Sequence, residues 1–227
     1  MRAVLSWSSG KDAAWALHAL RERGVDVVGL LTTLGEATGR VGMHGTPRAV
    51  VEAQAEAAGL PLRAVALPWP ASNEAYERAV RPALAAARDA GATHVAFGDL
   101  FLDDVRAYRE RLLAGTGLQP LFPLWHPPGG TAALARAMLD GGLRATVACV
   151  ETARLDPSLA GRPFDAAFLD DLPADADPCG ERGEFHTVCT AGPMFRWPVP
   201  VGVGAVVERG GFAYAEVGAA SAAPARP

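Results

Sequence analysis

Short apolar runs alternate along this chain with segments whose apolar positions recur every three or four residues. Ala3-Val4-Leu5 is the first run, and the Ala/Leu-rich stretch 13–20 behind it predicts a helix. Residues 25–33 form a second buried run after Gly24, which has the place of a helix C-cap. The alternation continues with a helix opened by Thr46-Pro47 and closed by Gly59, a strand over 62–67 and a helix over 73–89. A strand over 94–97, a helix over 103–113 and an extended segment over 121–125 follow. Such alternation predicts an α/β fold, a Rossmann-like open parallel sheet with helices on both faces and right-handed crossovers.

The pattern changes after Pro127-Pro128-Gly129-Gly130. A helix to Asp140, a buried strand over 145–150, a short helix over 164–172 and an irregular, polar-rich stretch over 177–188 come next. Residues 204–217 predict two short antiparallel strands around Arg209-Gly210-Gly211. The expected division is a nucleotide-binding domain over 1–126, a smaller α+β lobe on the substrate side over 127–217, and a disordered tail over 218–227. Pro68-Trp69-Pro70 reads as a rigid loop.

Half of the 227 residues are apolar and a fifth are charged, ordinary values for a folded protein. The net charge of −4 gives no basic footprint for nucleic acid. Three cysteines, Cys149, Cys179 and Cys189, form no Cys-x-x-Cys pair, which argues against a disulfide framework or a four-cysteine zinc site. No run of about 20 apolar residues suggests a membrane span, and the polar start does not resemble a signal peptide, so a cytoplasmic location is expected. Lys11 is the only lysine among 21 basic residues. Its place therefore carries information.

That place is the turn Ser6-Trp7-Ser8-Ser9-Gly10-Lys11-Asp12, between the first strand and the first helix. A helix start aims N–H groups and the positive end of its dipole at one spot, which binds phosphate. Asp12 would repel phosphate unless a cation lies between them, which suggests a nucleotide with a divalent metal. The Walker A pattern fails, because Leu5 stands where its first glycine belongs and Asp12 follows the lysine. A nucleophile elbow on Ser8 fails for lack of its first glycine, so a serine hydrolase is disfavoured. An empty helix cap is the bland alternative.

A second element, Gly98-Asp99, stops a central strand where open α/β sheets bind ligands. Asp99 could face a metal or substrate, or only cap the next helix. Arg106 and Arg109 share one helix face and read more simply as partners of Asp103 and Asp104. The third element is Cys179-Gly180-Glu181-Arg182-Gly183-Glu184-Phe185-His186-Thr187. Two glycines among two glutamates, a histidine and a threonine allow a sharp turn on which these groups converge. Carboxylates near a nucleotide can bind Mg²⁺, position an amine or act as a base.

Ser8-x-Gly10-Lys11-Asp12 resembles the PP-loop, S-G-G-x-D-S/T, of the ATP pyrophosphatases, with Ser9 in place of a glycine and Ala13 in place of the last hydroxyl. With the G-D-L-x-x-x-x-x-R-x-Y stretch from Gly98 and the C-G-E-x-G-E-F-H-T stretch from Cys179, the chain resembles the diphthine–ammonia ligase family from Val4 to about Phe195. The resemblance implies ATP and Mg²⁺ as cofactors, and amidation of a carboxylate by ammonia through an acyl-adenylate, releasing AMP and pyrophosphate. It implies nucleotide contacts at Ser8, Ser9, Gly10, Lys11, Asp12, Gly98 and Asp99, with Asp12 and Asp99 on the metal. Lys11, Asp12, Glu181, Glu184 and His186 take catalytic roles, and His44, Arg106, Tyr108, Arg109, Cys179, Gly180, Gly183 and Thr187 lie on the substrate side. The carboxylate belongs to a small molecule or a protein side chain. A homodimer stays open, and nucleic acid or membrane partners are not expected. The competing readings are a tRNA-modifying PP-loop enzyme and a non-catalytic ATP-binding module.

Overall fold

The computed structural model describes residues 1–68, 70–125 and 130–220. The reading of Pro68-Trp69-Pro70 at Trp69, the boundary at 126–129 and the tail from 221 onward lie outside the described residues. The first half of the chain runs β1 (Arg2–Ser6), α1 (Lys11–Glu22), β2 (Asp26–Gly35), α2 (Arg48–Ala58), β3 (Leu62–Leu67), α3 (Asn73–Asp89), β4 (His94–Ala96), α4 (Asp103–Leu113) and β5 (Gln119–Leu121). All five strands are parallel, in the order β3-β2-β1-β4-β5. The order reverses between β1 and β4, and open sheets of this kind bind ligands at that point.

The two faces of this sheet have separate apolar covers. Leu5, Leu30 and Leu34 face α1 and α2 in a core that also holds Val50, Val51 and Ala55. Val4, Leu31 and Val95 face α3 and α4, with Val80, Leu84 and Leu112. Alternation along each strand sends neighbours to opposite faces, so both must be covered.

The second half runs α5 (Thr131–Asp140), β6 (Arg144–Glu151), α6 (Ala166–Asp170), β7 (Phe185–Ala191), β8 (Val201–Arg209) and β9 (Phe212–Ala219). These four strands form an antiparallel sheet in the order β7-β6-β9-β8. The first-half core is continuous with this lobe, since Leu5, Leu17 and Val51 belong to one cluster with Val147, Phe185 and Val217.

Several expected boundaries move. The fifth parallel strand is Gln119–Leu121 rather than 121–125; it is an edge strand, where Pro120 is tolerated. The polar-rich stretch straightens at Phe185 into a seven-residue strand, because β6 supplies a partner that no local pattern reveals. The C-terminal strands reach back to Val201 and forward to Ala219, so Gly218 and Ala219 belong to the sheet and not to a tail. Pro47 is the N-cap of α2, and Thr46 serves a different purpose, described next.

Candidate active site

Ser6 to Gly10 leaves β1 at the reversal point and turns into α1. Ser9 takes a left-handed backbone, φ 75°, a conformation that glycine enters most readily. For a residue with a side chain this costs about 1–2 kcal/mol. The cost is offset by three bonds. The Ser9 hydroxyl donates to Thr46 Oγ1 at 2.7 Å, and the Ser9 carbonyl accepts from Gln54 Nε2 at 3.0 Å and from the Cys189 N–H at 2.9 Å. Gln54 is wholly buried; it also donates to the Cys189 carbonyl at 2.7 Å and accepts from Trp7 Nε1 at 2.9 Å. The loop is thus clipped to α2 and to β7. Among the described residues the N–H groups of Ser8, Gly10 and Ala13 have no protein acceptor.

Lys11 does not extend over the loop. Its side chain is 2% exposed and reaches into the second lobe. Its Nζ donates to both Asp12 carboxylate oxygens, at 2.8 and 3.1 Å, and to the Cys179 carbonyl. The rings of Phe185 and Phe164 flank it at 5.2 and 5.7 Å. Burial alone would lower its pKa, but Asp12 and the neighbouring groups outweigh that and hold it above its ordinary value. The Lys11 N–H donates to Thr187 Oγ1 at 3.0 Å.

A cavity of about 260 Å³ opens beside this loop. Its walls carry Ser8, Lys11 and Asp12 from the first turn, Gly98, Asp99 and Arg109 from the end of β4 and from α4, and His44 from the β2–α2 loop. Gly180, Glu181, His186 and Thr187 complete it from the second lobe, with Ser6, Ala13, Phe97 and Phe185 as further lining. A Cβ at Gly98 would lie 3.0 Å from the Ala13 nitrogen and from the Asp12 carbonyl carbon, so only glycine lets this strand end meet the start of α1. An adjoining cavity of about 190 Å³ shares Ser6, Ser8, Phe97 and Arg109 and is lined by Trp7, Leu31, Val41 and Leu112.

Glu181 bridges the lobes. One carboxylate oxygen accepts from the Leu100 N–H at 2.7 Å. Burial, with smaller contributions from Asp12 and Asp99, raises its pKa to about 7. His44 Nδ1 lies 2.9 Å from the Thr187 carbonyl, which can only accept, so Nδ1 carries the proton and Nε2 a lone pair. Burial holds His44 down to about 4 and His186 well below its ordinary value, and their rings lie 4.8 Å apart. Both are neutral imidazoles near pH 7. Arg109 pairs with Asp99 at 3.3 Å.

Other expected site residues sit elsewhere. Glu184 is 2% exposed and accepts from the Asp177 and Arg182 N–H groups, both at 3.0 Å; it braces the loop from behind and does not line the cavity. Gly183 turns that loop at φ 92°. Cys179 is buried, its thiol directed at the Thr131 carbonyl. Arg106 pairs with Glu110 at 2.9 Å, not with the expected Asp103 or Asp104, and covers Phe122 and Trp125, while Arg109 leaves that face to pair with Asp99 at the cavity wall. Tyr108 packs near Tyr76, away from the cavity lining. Ser9 and Gly10 support the site from beneath, where a Cβ on Gly10 would come 2.6 Å from His44 Cε1. Gln54 was not singled out in the sequence and Thr46 only as a helix start; a glutamine among Val50, Val51, Ala55 and Ala58 was the available signal.

Residues 1–120 match the diphthamide synthase N-terminal domain, and residues 130–211 match the diphthamide synthase C-terminal domain. The chain belongs to the diphthamide synthase family. That places it among the ATP-using PP-loop proteins. Among curated proteins none matches. Two solved structures are similar at low identity. One is a predicted subunit of tRNA methyltransferase from Methanocaldococcus jannaschii, 16% identical, TM-score 0.38, covering 66% of this chain and 78% of the other. The other is the U34-tRNA thiolase NcsA from Methanococcus maripaludis with its 4Fe-4S cluster, 20% identical, TM-score 0.38, covering 62% of this chain and 56% of the other. Among the described residues no helix is long and apolar enough to cross a membrane, and no group of three or more His, Cys, Asp or Glu side chains is arranged to hold a metal ion.

Proposed function

We propose that this family member is an ATP-dependent carboxylate–ammonia ligase that forms AMP and pyrophosphate. The observation that carries the reading is the convergence on one cavity of three stretches far apart in sequence: Ser8–Asp12, Gly98–Asp99 and Gly180–Thr187. The loop N–H groups of Ser8, Gly10 and Ala13 suit phosphate oxygens, and the adjoining cavity, with Trp7, Leu31, Val41 and Leu112 on its wall, suits the base.

Asp12 and Asp99 place carboxylate oxygens on the cavity wall, where they would hold a divalent cation. Mg²⁺ needs only one or two protein carboxylates when phosphates complete its shell, so the residues fit it. It supplies charge neutralisation at the phosphates.

In the first step a substrate carboxylate oxygen bonds to the α-phosphorus of ATP as the bond to pyrophosphate breaks. In the second, ammonia bonds to the acyl carbon and AMP leaves with its electron pair. The proton shed by the nitrogen passes to Glu181, whose pKa of about 7 suits a base at neutral pH. His44 and His186, both neutral, accept hydrogen bonds from ammonia and take up space that water would fill. Lys11 ties the phosphate loop to the second lobe, and Glu184 holds the turn that presents Glu181.

Burial pushes the Cys149 thiol to about 11 and Cys189 to about 12, and raises Cys179 as well, which leaves no ready thiolate for sulfur transfer. The test is incubation with ATP, Mg²⁺, ammonia and a panel of carboxylates, with separation of the nucleotides. AMP with pyrophosphate, dependent on both carboxylate and ammonia, supports the ligase. ADP, or tight ATP binding without turnover across the panel, refutes it.

A further inference from the structure

A third cavity, of about 500 Å³, lies on the other side of the loop that carries His44. It is lined by Gly35, Thr38, Arg40, Gly42 and Gly45 from the end of β2 and the loop beyond it, and by Arg209 and Tyr214 from the β8–β9 hairpin. No residue of the catalytic cavity is shared with it.

Its charge is one-sided. Arg40 is fixed across the seam between the lobes, its Nη1 donating to the Gly45 carbonyl at 2.6 Å and to the Val217 carbonyl at 3.4 Å. The Arg209 guanidinium lies over the Tyr214 ring, 4.2 Å from its centroid. Among the described residues no carboxylate pairs with either arginine; the nearby acids by sequence, Glu36, Glu208 and Glu216, are exposed. Two cations facing one concavity without a counter-ion repel each other, and an oxyanion relieves that repulsion. Guanidinium forks match carboxylate and phosphate oxygens. Three glycines on the remaining wall allow close approach to the main chain.

We propose that this cavity is an oxyanion site for a carboxylate or phosphate group. Its position assigns it to the substrate: Gly42 and Gly45 wall this cavity while His44, between them, lines the catalytic one. An anion held by Arg40 and Arg209 sets the loop that aims His44. In combination with the ligase reading, on which this last step rests, the substrate is an acid carrying a second anionic group away from the carboxyl that is activated.

The test follows backbone amide signals of the full chain. Saturating α,β-methylene-ATP with Mg²⁺ is added first, then inorganic phosphate. The nucleotide analogue shifts Ser8 to Ala13, and phosphate then shifts Gly42, Gly45 and Tyr214. Arg209→Gln, a change on an exposed strand, weakens the phosphate response about tenfold, the loss of one charge-assisted bond; Arg209→Lys recovers part of it. Displacement of phosphate by glutarate but not by butyrate identifies the substrate's own second group as the occupant. Phosphate that glutarate does not displace identifies a free anion instead and overturns the assignment to substrate. Absence of phosphate shifts at Gly42, Gly45 and Tyr214, or shifts indifferent to Arg209→Gln, overturns the site itself. Failure of the nucleotide analogue to move Ser8 to Ala13 refutes the ATP reading alone, because the phosphate response is read at different residues.

Discussion

Ser9 shows how one residue can be both strained and well held. Replacing it by glycine removes a left-handed cost of about 1–2 kcal/mol, but also a buried hydroxyl bond to Thr46 worth about 1 kcal/mol. The two nearly cancel, so Ser9→Gly is expected within about 1 kcal/mol of the parent. Ser9→Ala keeps the strain and strands the Thr46 hydroxyl, and is expected to lose about 1–3 kcal/mol. Denaturant midpoints of the two variants check this; equal losses would mean that the backbone strain is absent. Glu181 gives a pH dependence with a definite sign. Its pKa rises from 4.5 to about 7 in the fold, so between those values the folded chain holds a proton that the unfolded chain has released. Its stabilising contribution is present below 4.5 and is lost as pH rises through about 7. Activity moves the other way, because a base must be deprotonated: the rate should climb through pH about 7. Glu181→Gln should flatten both profiles, as read by kcat/KM and unfolding midpoints against pH.

At the scale of elements, the βα turn after β1 and the end of β4 were legible because glycine and charged residues interrupt strong apolar runs there. Gly98→Ala puts a methyl 3.0 Å from main-chain atoms at the start of α1, and neither element can yield without disturbing its neighbours. The expected result is a loss of about 1–3 kcal/mol in stability together with weaker nucleotide binding by calorimetric titration. The strand Phe185–Ala191 was not legible. Its seven residues mix Phe185, Val188, Cys189 and Ala191 with His186, Thr187 and Thr190 without strict alternation and follow two glycine turns, and its extended form depends on pairing with β6 on one edge and on the Ser9 carbonyl at the other. For the same reason the motif around Glu181 and Glu184 announced that its carboxylates matter but not that they divide their tasks. Only the fold shows Glu181 bonded to Leu100 across the cavity and Glu184 bonded to its own loop.

The whole molecule is built so that the site exists only when both lobes are present. The core runs without interruption from Leu5 and Leu17 to Val147, Phe185 and Val217, and the phosphate loop is hydrogen-bonded to β7. Calorimetry is therefore expected to record one cooperative unfolding transition rather than two, and two resolved transitions would contradict the shared core. Proposed ligands aside, that arrangement explains why a chemistry-bearing motif near residue 180 can answer a loop near residue 10.

Lys11, the chain's only lysine, has one further consequence. An acyl-adenylate is an acylating agent, and a free primary amine on its cavity wall would be its first victim. The ε-amino group on this wall is clamped by both oxygens of Asp12 and by the Cys179 carbonyl, and its pKa is held above the ordinary lysine value. It stays an ammonium ion with no lone pair to offer, so under the proposed ligase reaction this amine would not compete with ammonia for the activated acyl group.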